Sequence, residues 1–370
     1  MSIIRGIGGL EQSMAKSKKT IDVPPETTQV EETKKKHLEH NTLSSSAKSS
    51  MTKRIISAAV GLAILVPAIF LGDWIYFGLV AFALAIACWE ILGCANKRTF
   101  LIFIIYFALV SLITFWPVFR TLIISGLQLG KIEAYFRSIY LSIIVILIAI
   151  FFLFGLTVIY KDFTVLDACF LIAMAVLIGF GFQCLFYLRY YPNELFHVPE
   201  TRVWTFTIDN TIKPSLLLLF VIASTFLTDT GAYFVGIFFG KNKMNERISP
   251  KKTWEGFVGG IVVSFVLTSA IALTFSAFNY PIIPFLTLEK WYYILILSFL
   301  IPLFATLGDF VFSSIKRYWG IKDYGKLIPG HGGVLDRLDS IFFAVIVSAI
   351  FVSMLSSIVD GELNWSAFLV

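Results

Sequence analysis

Residues 292–313 read YYILILSFLIPLFATLGDFVFS, an apolar run that is interrupted near its end by Gly308 and Asp309. A helix needs about 20 apolar residues to cross a hydrocarbon core roughly 30 Å thick. Similar runs recur from Ile55 onward, and the alternating segments of about ten residues that a transmembrane barrel requires are absent. The sequence therefore predicts an all-α fold, a polytopic transmembrane helical bundle. We expect about nine spans: 55–72, 75–95, 100–119, 138–160, 165–188, 214–239, 256–277, 292–313 and 339–358.

The composition agrees with a protein surface that largely faces lipid. Hydrophobic residues make up 57% and charged residues 15% of the chain, whereas soluble domains carry about 45–50% and about 25%. The net charge of +6 is modest, and no basic module of the kind that binds nucleic acid is present, so we expect no nucleic-acid partner. The cysteines lie in apolar runs without metal-ligand or disulfide spacing, which favours a packing role: Cys88, Cys94, Cys169 and Cys184.

Four regions follow from this pattern. Residues 1–52 are rich in Lys, Glu, Ser and Thr and predict a disordered polar tail. Residues 53–213 are the N-terminal transmembrane helices, 214–358 the catalytic transmembrane part, and 359–370 a short non-cytosolic tail. Lysine and arginine groups flank alternate spans, which favours a cytosolic N-terminus and cytosolic polar loops around a cytosol-facing polar cavity. The choice among a bacterial inner membrane, the endoplasmic reticulum and an organelle membrane stays open.

Two acids fall inside apolar spans. Asp229 lies in the stretch TDTGAY, residues 228–233, and Asp309 lies late in the run quoted above. A carboxylate at membrane depth is costly unless it is paired, hydrated or bound to a metal, so each is a candidate functional residue. The alternative is that both lie at helix ends and reach water.

The loop that follows concentrates charge and glycine. Residues 313–340 read SSIKRYWGIKDYGKLIPGHGGVLDRLDS, with five Lys or Arg side chains and three carboxylates. The Gly330, Gly332 and Gly333 set allows tight turns and close approach of the backbone to a ligand. Acids beside bases are what a metal–polyphosphate site requires, and carboxylate oxygens favour Mg²⁺ over zinc. The alternative reading is a plain solvated turn.

A second polar loop carries ISPKKTWEG, residues 248–256. Its lysines, Lys251 and Lys252, suit a triphosphate, a lipid phosphate or the anionic leaflet of the membrane, and charge alone does not distinguish these partners.

These motifs resemble those of the phosphatidate cytidylyltransferase family, also called CDP-diacylglycerol synthases. The family signature runs Ser, two residues, Lys-Arg, four residues, Lys-Asp, then Pro-x-His-Gly-Gly and Asp-Arg-x-Asp. It is met without departure by Ser313, Lys316, Arg317, Lys322, Asp323, Pro329, His331, Gly332, Gly333, Asp336, Arg337 and Asp339. The stretches 229–233 and 249–256 look like companion motifs, so the strong resemblance spans about 214–340.

The resemblance implies that CTP and phosphatidate, a membrane lipid, give CDP-diacylglycerol and pyrophosphate at a Mg²⁺ centre with K⁺ beside it. By position, Asp309 and Asp336 are the first metal-ligand candidates and Asp229 a weaker one. The implied substrate-binding residues are Ser249, Lys251, Lys252, Ser313, Gly332 and Gly333. The implied catalytic residues are Lys316, Arg317, Lys322, Asp323, His331, Asp336, Arg337 and Asp339.

Two other functions fit part of the sequence. A CTP-dependent polyprenol or phytol kinase also needs acids, bases and a lipid substrate, but it would pass a phosphoryl group to an alcohol. An ion-coupled transporter would use Asp229 and Asp309 as a relay near the bilayer midplane. The sequence does not indicate the acyl-chain preference or the choice between CTP and dCTP. It leaves the oligomeric state open as well, and a homodimer is one candidate.

Overall fold

The structure is a computed structural model, and it describes residues 45–116, 131–190, 208–278, 281–282, 288–330 and 332–359. Most of the predicted tail and the C-terminal residues 360–370 lie outside this described part. The chain divides into two compact units, Met1–Lys53 and Arg54–Val370, and the site described below belongs to the second.

Helices dominate the described part of the chain, as the apolar runs predict. It holds nine α-helices, one short 3-10 helix at Leu288–Lys290, and two strands, β1 (Lys243–Asn245) and β2 (Ser249–Thr253). The helices are α1 (Ser45–Leu71), α2 (Asp73–Cys94), α3 (Phe100–Thr114), α4 (Lys131–Ile159), α5 (Val165–Tyr190), α6 (Ile208–Phe239), α7 (Trp254–Ala277), α8 (Trp291–Tyr318) and α9 (Leu335–Val359).

Six segments of the described chain are long and apolar enough to cross a membrane: Trp74–Cys94, Val165–Tyr190, Ser215–Phe239, Trp254–Ala277, Leu288–Tyr318 and Leu335–Leu355. The apolar parts of α1, α3 and α4 are shorter within the described residues. Length and composition therefore establish a helical membrane protein with six such helices, and the predicted count of about nine spans exceeds them.

Helices α6 and α7 pack closely because small residues line their contact. A Cβ atom added to Gly260 would lie 2.7 Å from the carbonyl oxygen of Thr228, and one added to Gly256 would lie 2.8 Å from that of Ala232. Small residues allow this approach of two helix backbones within a membrane. The contact fixes the part of α6 that carries the TDTGAY stretch.

A similar contact joins α8 to α9. A Cβ atom on Gly308 would lie 2.6 Å from the carbonyl oxygen of Asp339. The backbone before Asp309 therefore touches the backbone of α9 at Asp339, and this contact places Asp309 near Asp339.

The loop between α6 and α7 forms a hairpin that the sequence analysis did not predict. β1 pairs with β2 in antiparallel register, with Lys243 opposite Thr253. The Thr253 side chain then accepts a hydrogen bond from the Gly256 amide at 3.1 Å and caps the start of α7. Lys251 and Lys252 consequently lie on a strand next to a helix start.

Candidate active site

Asp336 anchors the turn that connects α8 with α9. One carboxylate oxygen accepts hydrogen bonds from the Tyr324 amide at 2.8 Å and the Gly333 amide at 2.9 Å. The other oxygen accepts from the Lys316 ammonium at 2.9 Å. Burial raises the pKa of Tyr324, whose hydroxyl donates to the Phe312 carbonyl at 3.1 Å. Asp336 is buried, and it pins both ends of this turn.

Glu90 of α2 also holds this turn, and the sequence analysis missed it. Its two carboxylate oxygens accept hydrogen bonds from the Val334 and Leu335 amides, each at 2.9 Å, and the residue is 2% exposed. A carboxylate at a helix N-terminus satisfies amides that have no partner within the helix. The signal was available, because Glu90 is an acid in an apolar run, as Asp229 and Asp309 are.

The glycines of the turn leave room for these two carboxylates. A Cβ atom on Gly325 or Gly333 would run into the Glu90 carboxylate, and one on Gly332 would lie 2.7 Å from an Asp336 oxygen. Gly332 also has φ of +88°, which side chains rarely adopt. Here the predicted glycines admit carboxylates that hold the backbone in place. His331 lies outside the described residues.

Lys316 is buried between two acids. Its ammonium lies 2.9 Å from an oxygen of Asp336 and 3.6 Å from an oxygen of Asp339. Asp339 also accepts from the Ser340 amide at 2.8 Å. Asp336 and Asp339, which are three residues apart in α9, thus meet the same lysine, as their shared helix face predicts.

A second set of acids lies where α6, α8 and α9 meet; we call Asp229, Asp309 and Asp339 the carboxylate cluster. The three side chains interact electrostatically with one another. The Lys252 ammonium forms an ion pair with Asp309, and the Ser313 hydroxyl donates to Asp309 at 3.2 Å. Asp309 is half-buried, Asp229 is exposed and Asp339 is buried, so the cluster combines negative charge with access from outside at Asp229 and Asp309.

Several predicted cations surround these acids or lie on nearby loops. Arg337 is exposed and interacts electrostatically with Asp229. The Arg317 guanidinium donates to the Ile248 and Ile321 carbonyls, both at 3.2 Å, and so ties the hairpin loop to the end of α8. The remaining polar candidates are exposed or half-exposed: Ser249, Lys251, Lys322 and Asp323.

The described residues do not contain a group of three or more His, Cys, Asp or Glu side chains placed to hold a metal by themselves. Mg²⁺ rarely needs such a group, because it is commonly bound through one or two carboxylates together with waters and substrate phosphates. Asp309 and Asp229 fit that pattern. Asp336 fits it less well, because it is buried and two backbone amides hold one of its oxygens, whereas Asp309 is half-buried and is contacted by side chains.

Comparison with known proteins gives one consistent result. The sequence model of the cytidylyltransferase family matches residues 52–355. A protein of Staphylococcus haemolyticus named phosphatidate cytidylyltransferase is 31% identical over 297 residues, which are 80% of this chain and 96% of that protein. Proteins of the same name from Staphylococcus saprophyticus and Bacillus subtilis are 36% and 44% identical over 53% and 32% of this chain. Those two alignments span 63% and 40% of the relatives.

Proposed function

Because this chain belongs to the cytidylyltransferase family, whose model matches residues 52–355, we propose that it is a phosphatidate cytidylyltransferase. It joins CTP and phosphatidate to give CDP-diacylglycerol and pyrophosphate in phospholipid biosynthesis. The names of the similar staphylococcal and Bacillus proteins support this reaction. The six apolar helices support a substrate that resides in the membrane.

The observation that carries the proposal is the carboxylate cluster with cations beside it. Asp309 pairs with Lys252, and Asp229 interacts electrostatically with Arg337. Acids that share a site repel one another unless cations neutralise them. Such a group of acids and cations is suited to a cation–polyphosphate complex, whereas a solvated turn does not require acids and cations to be concentrated together.

The chemistry needs positive charge and alignment more than it needs a base. An oxygen of the lipid phosphate forms a bond to the α-phosphorus of CTP, and the bond from that phosphorus to the bridging oxygen of pyrophosphate breaks. The attacking oxygen is already anionic, so no proton must be removed. The barrier lies in charge repulsion and positioning, which fixed cations lower.

Burial suggests how the predicted residues divide this work. Lys251, Lys252 and Arg337 neutralise the phosphates, while Arg317 joins the two polar loops. Lys316 is held by two acids inside the protein, so its proposed role is to position Asp336 and Asp339. Lys322 and Asp323 stay candidates on the turn, Ser249 and Ser313 stay candidate phosphate or capping groups, and His331 stays a candidate positioning residue.

Asp309 and Asp229 are the proposed Mg²⁺ ligands, and Asp336 is proposed as the anchor of the turn. When bound, Mg²⁺ would neutralise CTP phosphate oxygens and favour departure of pyrophosphate. A K⁺ ion beside it is a prediction that rests on the family resemblance alone.

The proposed arrangement in the membrane has about nine spans, with α1, α3 and α4 added to the six long apolar helices. The N-terminus and the loops around the cluster face the cytosol, because lysine and arginine concentrate there. A homodimer is a further prediction.

The test uses two preparations of CTP, labelled at the α- or the γ-phosphorus. Purified protein is incubated with phosphatidate, Mg²⁺ and one label, and the lipids are extracted. The proposal predicts α-label in the lipid and γ-label in water-soluble pyrophosphate. Transfer of γ-label to a lipid alcohol would identify a kinase instead, and absence of label from lipid in both preparations would contradict the proposal.

A further inference from the structure

Glu255, in the first turn of α7, ties the base of the hairpin together. Its carboxylate accepts hydrogen bonds from the Lys241 amide at 3.1 Å, the Asn242 amide at 3.2 Å and the Asn242 side chain at 2.7 Å. The Trp254 amide donates in return to the Asn242 carbonyl at 2.9 Å. We call these bonds the Asn242–Glu255 clasp. The chain between the two residues, which includes β1 and β2, therefore forms a loop that is closed at its base.

The last residue of β2 is fixed separately, by the end of α6. Thr253 is buried and caps α7 through the Gly256 amide, and a Cβ atom on Gly240 would lie 2.7 Å from its hydroxyl oxygen. A strand that is fixed at one point can still rotate about that point. The clasp holds the start of β1, and the pairing of Lys243 with Thr253 passes this restraint on to β2.

The orientation of β2 decides which lysine reaches the carboxylate cluster. The Lys252 ammonium forms an ion pair with Asp309 and lies 4.5 Å from the centre of the Phe310 ring. Its neighbour Lys251 is exposed, because successive side chains of a strand point to opposite faces. A rotation of the strand would therefore withdraw Lys252 from Asp309.

We infer that Glu255 is a positioning residue that keeps Lys252 directed at Asp309, and so at the phosphates of the proposed reaction. It acts through the backbone of the hairpin, since its carboxylate is bonded to residues 241 and 242. A carboxylate in the first turn of a helix also meets the helix dipole favourably, but that role requires no bond to Asn242. The consequence for turnover rests on the proposed function, whereas the consequence for Lys252 does not.

The experiment measures the orientation of Lys252 by its chemical reactivity. Full-length protein in detergent is acetylated briefly with an N-hydroxysuccinimide ester, without CTP, phosphatidate or Mg²⁺, and mass spectrometry compares Lys252 with Lys251. In the wild type, Lys252 should react about fivefold more slowly, the effect of one ion pair of ordinary strength. In Glu255→Ala the two lysines should react at equal rates.

An exchange of donor and acceptor tests the clasp itself. Asn242→Asp places a second carboxylate against Glu255, and the two repel each other, so Lys252 should lose its protection. Adding Glu255→Gln should restore it, because the new amide donates to the new aspartate while its oxygen still accepts from the backbone amides. The double variant also has the net charge of the wild type. Two independent structural defects would add instead of cancelling.

Turnover and the thermal midpoint are measured on the same preparations. Glu255→Ala should lower kcat about tenfold at an unchanged midpoint, because misplacement by about 1 Å costs up to about a hundredfold in rate. The control is Glu246→Ala, at an exposed position between β1 and β2, which should match the wild type in reactivity, rate and midpoint.

Three results would overturn the inference. The first is equal reactivity of Lys251 and Lys252 in the wild type, and the second is unchanged protection of Lys252 in Glu255→Ala and Asn242→Asp. The third is wild-type turnover in Glu255→Ala despite lost protection. A wild-type protein without turnover would contradict the proposed function instead, and the acetylation rates would still show whether Glu255 directs Lys252.

Discussion

The turn between α8 and α9 and the carboxylate cluster are both acidic, yet their acids differ in burial and in hydrogen bonding. In the turn, Glu90 and Asp336 are buried, and all four of their oxygens accept hydrogen bonds. In the cluster, Asp229 is exposed and accepts no hydrogen bond within the described residues, and Asp309 is half-buried and contacts Lys252 and Ser313. Asp339, the buried third member, also pairs with Lys316 and so links the cluster to the turn.

This difference separates acids that hold the backbone in place from acids that can bind a ligand and take part in the reaction. A buried carboxylate whose oxygens are satisfied rigidifies its surroundings and has little capacity left for a ligand. Asp229, whose oxygens accept no hydrogen bond within the described residues, lies near two other carboxylates, and such a group is costly until a cation or a charged substrate arrives. Changes in the turn should therefore lower stability and activity together, whereas changes at Asp229 and Asp309 should lower activity alone.

The largest expected effect on stability is that of Asp336→Asn. The substitution leaves the buried Lys316 with Asp339 as its remaining acid and puts an amide where an acceptor is needed. Breaking a buried ion pair typically costs about 3–5 kcal/mol. We expect a lower thermal midpoint in detergent, measured by size-exclusion chromatography after heating, together with lost turnover. Asp323→Asn, which changes an exposed acid of the same turn, is the control for the midpoint alone, and an unchanged midpoint for Asp336→Asn would contradict the anchoring role.

Glu90→Gln should come second. The amide keeps one acceptor for the Val334 or Leu335 amide but opposes the other with an N–H group, and an unsatisfied buried amide costs about 1–3 kcal/mol. The same heating experiment should give an intermediate midpoint and a reduced rate. Glu289→Gln alters an exposed acid far from the turn and should match the wild type; a Glu90 variant that also matches it would refute the contact.

Gly333→Ala should have the smallest effect of the three. Its new methyl group would press on the Glu90 carboxylate, and local overpacking of this kind costs about 1 kcal/mol or somewhat more. Gly78→Ala in α2 is a matched control, because nothing lies within 4 Å of its new methyl group. Helix propensity predicts that the control is stabilised slightly. If the thermal midpoints of both variants shifted in the same direction, the contact with the Glu90 carboxylate would not explain the glycine at position 333.

The helices could be predicted closely because lipid imposes a simple pattern. The predicted span 165–188 is observed within Val165–Tyr190, and 256–277 within Trp254–Ala277. Helix α9 begins at Leu335 instead of 339, where Glu90 and Asp336 supply its first acceptors. Apolar runs indicate which part of a helix lies in lipid. They do not show which polar groups determine its first residue.

The site could be predicted as a set of residues but not as a division of labour. The signature spacing identified Asp336 and Lys316 as site residues. In the structure both are buried and form an ion pair with each other. Glu90 accepts a hydrogen bond from the Val334 amide, which lies 244 positions away in the sequence. No local sequence pattern predicts such a contact. The hairpin that carries Lys251 was also missed, because its strands are three and five residues long and mostly polar.

The most direct test of the separation between holding and reacting is Asp309→Asn, with turnover of CTP and phosphatidate and the thermal midpoint measured on one preparation. Removal of a preorganised charge from a reacting site typically costs about a hundredfold or more in rate. Asp162→Asn, at an exposed position of the loop between α4 and α5, is the control. We expect turnover to fall at least about a hundredfold while the midpoint stays at the wild-type value. Wild-type turnover, or a loss that merely follows a lowered midpoint, would contradict a catalytic role for the carboxylate cluster.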